Sequence, residues 1–189
     1  EMCIRDRPHA DHRCGHNDGI HGGSATLCRE GAFDERSWKA RGRVMADTGD
    51  LASITELMIQ YCDLIDCGDL AGCAALFEKG AWGIVGTLAQ GAEEVSAQLD
   101  NVTLYDGRPN TRHLMSNVVI NIDPLGQTAV AKSCITVMQH VPDDFAMQAI
   151  FIGSYNDTFA KDGDGWHFVE RAITPDLIGD MSRHRADMN

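Results

Sequence analysis

Two side chains in this sequence are placed where proton transfer could occur: Asp66, at the end of an apolar helical pattern, and His113, at the start of a strand pattern. A neutral imidazole titrates near pH ~6.5, so it can accept a proton at working pH. A carboxylate bonded to its other ring nitrogen would fix the tautomer and stabilise the imidazolium that forms. Asp66 gains nothing from its helix dipole, which favours cations at that end, so a partner elsewhere in the fold is expected. His113 opens its strand and should share a face with Met115, Asn117 and Val119. An apolar wall carrying a few polar groups is what a small-molecule pocket needs. Taken singly, the more ordinary role for Asp66 is a solvated helix end, and for His113 a surface position at a strand end.

Other side chains carry weaker signals than these two. Tyr61 lies on the apolar face of the first helix, where it would pack in a core or line a pocket. Asn117 could orient a substrate oxygen, and His140, ending a strand next to Pro142, is expected at the surface or at a cavity mouth. Tyr155 and Asp157 share a strand face and could tie a sheet together, whereas Trp166 and Phe168 alternate as core residues do. Asp63, Asp66 and Asp69 follow a three-residue spacing, but three carboxylates with no histidine nearby make a poor transition-metal site. His9, His12, Cys14, His16, His21 and Cys28 are numerous enough to suggest zinc, yet their spacing matches no familiar finger and no apolar framework surrounds them. No metal is expected. There is no Gly-rich phosphate loop and no nucleophile motif, and no cofactor is expected.

Composition narrows the function classes. The 189 residues carry a net charge of −12, and the imbalance lies beyond residue 45, where 8 basic residues face 21 acidic ones. Phosphate backbones and anionic membranes need a positive field, so neither nucleic acid nor membrane is expected as a partner. No apolar run reaches the roughly 18 residues of a bilayer span. Seven cysteines form no disulfide framework, and no basic segment leading into an apolar stretch is seen, so reduced thiols and a cytoplasmic location are expected.

The elements that would position the candidates fall into two groups. Leu51, Ile54, Met58, Tyr61 and Ile65 recur at helical spacing. Asp50, or Ser53 with Glu56, would cap that helix, and Gly68 would end it. Asp69 would cap a shorter helix through Phe77. A short strand over 81–85 and a third helix over about 92–102 follow. Beyond Pro109 the pattern becomes strands, over 112–122, 128–140, 146–160 and 166–173, broken by Asp123-Pro124-Leu125-Gly126 and Asp162-Gly163-Asp164-Gly165. Helices followed by long strands joined by tight turns indicate an α+β fold with an antiparallel sheet. Residues 1–45 are expected to be a disordered or non-native extension. Their opening, Glu1 to Arg7, resembles translated adapter sequence, and a native start is expected at Met45. The folded domain is expected over 46–182, with a C-terminal tail over 183–189.

Three blocks carry a family resemblance. Tyr61-Cys62-Asp63-Leu64-Ile65-Asp66-Cys67-Gly68-Asp69-Leu70 with Phe77 resembles the opening helices of SnoaL-like proteins of the nuclear transport factor 2-like superfamily. Thr111-Arg112-His113-Leu114 with Asn117 resembles their next marker. Gly153-Ser154-Tyr155-Asn156-Asp157, then Asp164 to Phe168 and Glu170-Arg171, resembles their closing strands. The resemblance spans roughly residues 48–180. It implies a cone-shaped barrel, in which a strongly curved antiparallel sheet wraps the N-terminal helices and encloses a pocket. Around Asp66 and His113 the chain is similar to scytalone dehydratase and hexachlorocyclohexane dehydrochlorinase, where an aspartate holds a histidine that removes a proton during elimination. That role carries over to Asp66 and His113 alone. Scytalone dehydratase has a tyrosine where this chain has Ile65, and its second pocket histidine would fall near Gln139 or His140.

The expected activity is thus a cofactor-independent lyase or isomerase, dehydratase-like, acting on a small apolar, aromatic or polycyclic substrate. His113 and Asp66 would be catalytic, with Tyr61, Asn117, Met115 and His140 binding substrate. Two alternatives remain: a non-catalytic ligand-binding protein, and a small-subunit partner of a larger oxygenase. The family implies a homodimer or homotrimer.

Overall fold

The computed structural model describes residues 48–188, so the expectations for residues 1–47, including the histidine- and cysteine-rich segment and the start at Met45, lie outside the described residues. Helix α1 runs Thr48–Cys67 and α2 runs Leu70–Ala75. Two short strands follow, β1 (Ala81–Ile84) and β2 (Thr87–Gln90), then α3 (Gly91–Leu99). The long strands are β3 (Thr111–Ile122), β4 (Thr128–Val141), β5 (Phe145–Asp162) and β6 (Gly165–Ile178), and a 3-10 turn spans Ala186–Met188. They form one six-stranded sheet in the order β2-β1-β6-β5-β4-β3. All neighbours are antiparallel except β1 and β6, which run parallel. The architecture is the expected α+β one, a curved sheet with its helices on one face. Strand β2 was not expected; its four residues are too short for a periodic signal.

Helix α1 buries Ile54, Met58, Tyr61, Cys62, Ile65 and Asp66, the face that its apolar spacing marks out. Two features fix its ends. Asp50 does not act as the expected N-cap but lies inside the first turn. Its carboxylate accepts from Lys161 Nζ (2.6 Å) and Trp166 Nε1 (2.8 Å), tying the helix start to the β5–β6 hairpin. Ser53 and Glu56 also lie within the helix, so no capping box forms. At the other end Gly68 takes φ +86°, and a Cβ there would stand 2.0 Å from the Gly107 carbonyl oxygen. Only glycine fits both the backbone angle and the gap. Asp69 caps α2 as expected, accepting from Gly72 N at 2.8 Å.

Phe159 and Phe168 of the sheet meet Phe77, just after α2, in an aromatic cluster: the Phe168 ring lies 4.9 Å from Phe77 and 4.8 Å from Phe159. Strand β4 alternates inward and outward without a break from Ala129 to Val141. Strands β3 and β6 do not, because each carries a bulge. In β3 the register slips between Ser116 and Val119, with Asn117 at φ 51°. His113 and Met115 face inward before it, and Ile120 and Ile122 pack against the core after it. In β6 the register against β5 slips twice, and the slip between Thr158 and Phe159 makes Val169 bulge outward. Phe168 and Arg171, three residues apart, are both fully buried.

Candidate active site

The end of α1 and the start of β3 meet at a single carboxylate. Asp66 Oδ1 lies 2.7 Å from His113 Nδ1 and accepts from Thr111 Oγ1 at 2.8 Å. Asp66 Oδ2 accepts from the His113 backbone N–H at 2.8 Å. Arg112 stays outside, its NH1 3.8 Å from Oδ2 and its side chain exposed. The side chains of His113 and Asp66 are 6% and 4% exposed. The carboxylate that the helix dipole disfavours is therefore held by three donors from one strand. Burial alone would raise the Asp66 carboxyl, but the hydrogen bonds and charge of His113, with help from Thr111, outweigh it and hold the group below its ordinary value.

That sign has a measurable consequence. A carboxyl lowered on folding contributes stability in full above its unfolded value of 3.8, and the contribution disappears as pH falls through the lower folded value. Asp66→Asn is expected to cost about 1.5–3 kcal/mol at neutral pH, the worth of hydrogen bonds to a charged acceptor. The gap from wild type should narrow in urea titrations below pH 3.8. The other aspartates with lowered values, among them Asp50, Asp123 and Asp144, are common to both proteins and cancel in the comparison.

With Nδ1 taken by the carboxylate, Nε2 is the ring nitrogen left to act, and His113 lines a cavity of about 570 Å³. Its walls are mostly apolar and aromatic, including Ile65, Trp82, Val137, Phe151 and Ile173. Tyr61 belongs to this wall. Its ring stands edge-on to His113, with centroids 6.3 Å apart, and its hydroxyl accepts from Trp82 Nε1 at 2.9 Å. Burial pushes the Tyr61 and Tyr155 phenols well above their ordinary range, so both are neutral. Among the described residues no three His, Cys, Asp or Glu side chains converge as a metal site would require.

Three candidates lie away from the cavity. Met115 packs inward against the core but does not line the cavity. Asn117 sits on the β3 bulge, exposed, with its amide 3.6 Å from Cys134 Sγ; the bulge breaks the alternation that would have kept it, and Val119, on the face of His113. His140 points outward, its Nδ1 2.8 Å from the Phe145 carbonyl oxygen, in a shallow surface groove on the far side of Asp66. Gln139 does face inward, but its amide donates to the carbonyls of Pro109 and Arg183, both at 2.9 Å.

Two features of the site were not anticipated. Arg171 is buried beneath the cavity floor, paired with Asp157 through Nε–Oδ1 (2.9 Å) and NH2–Oδ2 (2.7 Å). Its guanidinium stacks on the cavity-lining rings of Tyr61 and Tyr155, 4.3 Å from each centroid. The expected tail is also part of the site. Thr103 N–H donates to the His184 carbonyl (2.8 Å), Ala186 N–H to the Asn101 carbonyl (2.9 Å) and Tyr105 Oη to the Arg183 carbonyl (2.9 Å). Met181, His184, Arg185 and Asp187 thereby reach the cavity.

A family model described as a SnoaL-like domain matches residues 32–172. No curated protein sequence matches the chain. Among solved structures, an NTF2-like protein with a cystatin-like fold from Novosphingobium aromaticivorans is 24% identical, covering 74% of this chain and 96% of that one at a TM-score of 0.55. A candidate scytalone dehydratase from the same organism is 22% identical, covering 70% and 87% at 0.59. ActVI-ORFA from Streptomyces coelicolor is 20% identical, covering 67% and 97% at 0.56. At these identities the likeness is one of fold.

Proposed function

The chain belongs to the SnoaL-like domain family, and on that premise we propose that it is a cofactor-independent lyase or isomerase acting on a small, largely apolar carbon acid. One observation carries this: His113 Nδ1 is held 2.7 Å from Asp66 Oδ1 at the wall of an apolar cavity of about 570 Å³. A base needs a free nitrogen, a fixed orientation and a place for substrate, and the pair supplies all three.

In the proposed step His113 Nε2 takes the proton from a carbon next to an activating group. The C–H electron pair becomes a carbon–carbon double bond and charge moves onto the activating group, while Asp66 stabilises the imidazolium. In elimination, the charge returns to expel a β-leaving group with its bonding electrons, and the imidazolium proton goes to that group. In isomerisation, the imidazolium returns its proton to a different carbon. Neither route needs an oxidant, reductant or metal. The solved-structure likeness to a candidate scytalone dehydratase is compatible with the first. A soluble homodimer or homotrimer in the cytoplasm completes the proposal; among the described residues no helix is long and apolar enough to cross a membrane.

The test uses a generic carbon acid. The full chain with 2-tetralone in deuterium oxide is expected to incorporate deuterium at the benzylic carbon faster than buffer or heat-inactivated protein does, followed by proton NMR. Exchange no faster than the controls across a set of bicyclic ketones would leave ligand binding as the better account.

A further inference from the structure

Asp66 Oδ1 serves two donors at once. His113 Nδ1 lies 2.7 Å from it and Thr111 Oγ1 donates to it at 2.8 Å, while the His113 backbone N–H donates to Oδ2. Thr111 is itself buried, so water competes little for its hydroxyl. Thr111 and His113 are two residues apart on β3, and a strand turns such residues to one face. The backbone just before them is held from outside the strand. Gln139 Nε2 donates to the Pro109 carbonyl (2.9 Å), the His140 N–H donates to the Asn110 carbonyl (3.2 Å), and Asn110 takes φ 54°.

A carboxylate beside an imidazole acts in two ways: it orients the ring and it stabilises the imidazolium. The second effect, unopposed in a buried site, favours a ring that already carries its proton, and such a ring cannot take one from carbon. A hydroxyl donating to the same oxygen draws off part of the negative charge and sets the positive end of its own dipole near the ring. It therefore weakens the pull on the proton while fixing the carboxylate in place.

Resting on the proposed proton abstraction by His113, we infer that Thr111 is a positioning residue for that step. Its hydroxyl holds Asp66 Oδ1 toward His113 Nδ1 and moderates the carboxylate, which lowers the pH at which the imidazole is free to act as a base. Thr111 touches no reacting atom and acts through Asp66. The other titratable and charged groups around the pair are the same with or without the hydroxyl. On α1, burial keeps the Tyr61 phenol protonated and pushes the Cys62 thiol up to about 11. His184, near enough to interact with both His113 and Asp66, has its pKa pulled down to about 4 by burial. Strand β4 sets apolar Val137 opposite His113. Arg112 is exposed, with NH1 3.8 Å from Oδ2, and Arg108 and His140 line the groove behind Asp66. Arg171 and Asp157 neutralise each other beneath Tyr61.

A nitrogen-15 NMR titration of the histidine rings in the full chain reads this without substrate. The His113 midpoint is expected to rise by about 0.3–1 pH unit in Thr111→Val, a fraction of the worth of one hydrogen bond to a charged acceptor. It should return to the wild-type position in Thr111→Ser, which restores the donor. In deuterium exchange of 2-tetralone the acid limb of the pH profile should move up by the same amount. The rate lost in Thr111→Val is then greatest at low pH and shrinks as pH rises. A residue that only filled space would lower the rate evenly across pH and leave the midpoint where it was. If the valine variant does not fold, Thr111→Ala takes its place. A midpoint unchanged or lowered in the folded valine or alanine variant, or a serine variant that behaves like them, overturns the proposal. A raised midpoint in a protein without exchange activity would uphold the effect of the hydroxyl on the pair and end the reading of His113 as a base.

Discussion

Replacing His113 by alanine is expected to slow ketone α-proton exchange by about 10²–10⁴-fold, the usual contribution of a positioned general base. The fold should survive, because the substitution does not orphan the carboxylate: Asp66 keeps the Thr111 hydroxyl on Oδ1 and the backbone N–H of residue 113 on Oδ2. The urea midpoint should therefore shift little compared with the loss of rate. That contrast separates a base from a packing residue. Tyr61, edge-on to the ring, cannot substitute, since burial keeps its phenol protonated. Near wild-type exchange in a folded His113→Ala protein would end the assignment.

The largest expected loss of stability lies one layer deeper. Arg171→Met should destabilise the protein by about 3–5 kcal/mol, because it leaves the Asp157 carboxylate fully buried with no countercharge. The guanidinium also fills the gap between Tyr61 and Tyr155, and stacking on aromatic faces away from water adds about 2 kcal/mol or more. Replacing both charges, as Asp157→Leu with Arg171→Met, should recover much of the loss, since no unpaired charge then remains. Urea unfolding followed by tryptophan fluorescence measures both. A loss below about 1 kcal/mol in the single variant would mean that water reaches the pair.

The fold was readable where periodicity was strong. The apolar spacing of α1, the Asp69 cap and the two tight turns carried through because each is a local signal. So did the strain on Asp66, a carboxylate at the wrong end of a helix dipole, which the structure resolves with His113 and Thr111. What stayed hidden depends on bulges and tertiary contacts. Asn117 was placed with His113 by simple alternation, and the bulge at Asn117 itself turned it outward. The same kind of slip at Val169 turned Arg171 inward, where alternation from Phe168 would have put Glu170. The only local hint was an arginine directly before the apolar pair Ala172-Ile173, with Asp157, read from sequence as a residue that ties the sheet, as its complement. His184 had no periodic signal, because a cavity wall made from an irregular C-terminal segment leaves none. Gln139 stood out only as an inward amide on a β4 face that is apolar apart from it and Ser133.

The central claim is that Asp66 fixes His113 with a bare Nε2 toward the cavity. Nitrogen-15 NMR of the histidine rings, comparing wild type with Asp66→Asn and using His113→Ala for assignment, tests it before any substrate is known. The prediction is a single tautomer in wild type, with the proton on Nδ1 and Nε2 unprotonated, giving way to a tautomer mixture in Asp66→Asn. A proton on Nε2 in wild type, or a tautomer indifferent to the loss of the carboxylate, would contradict it.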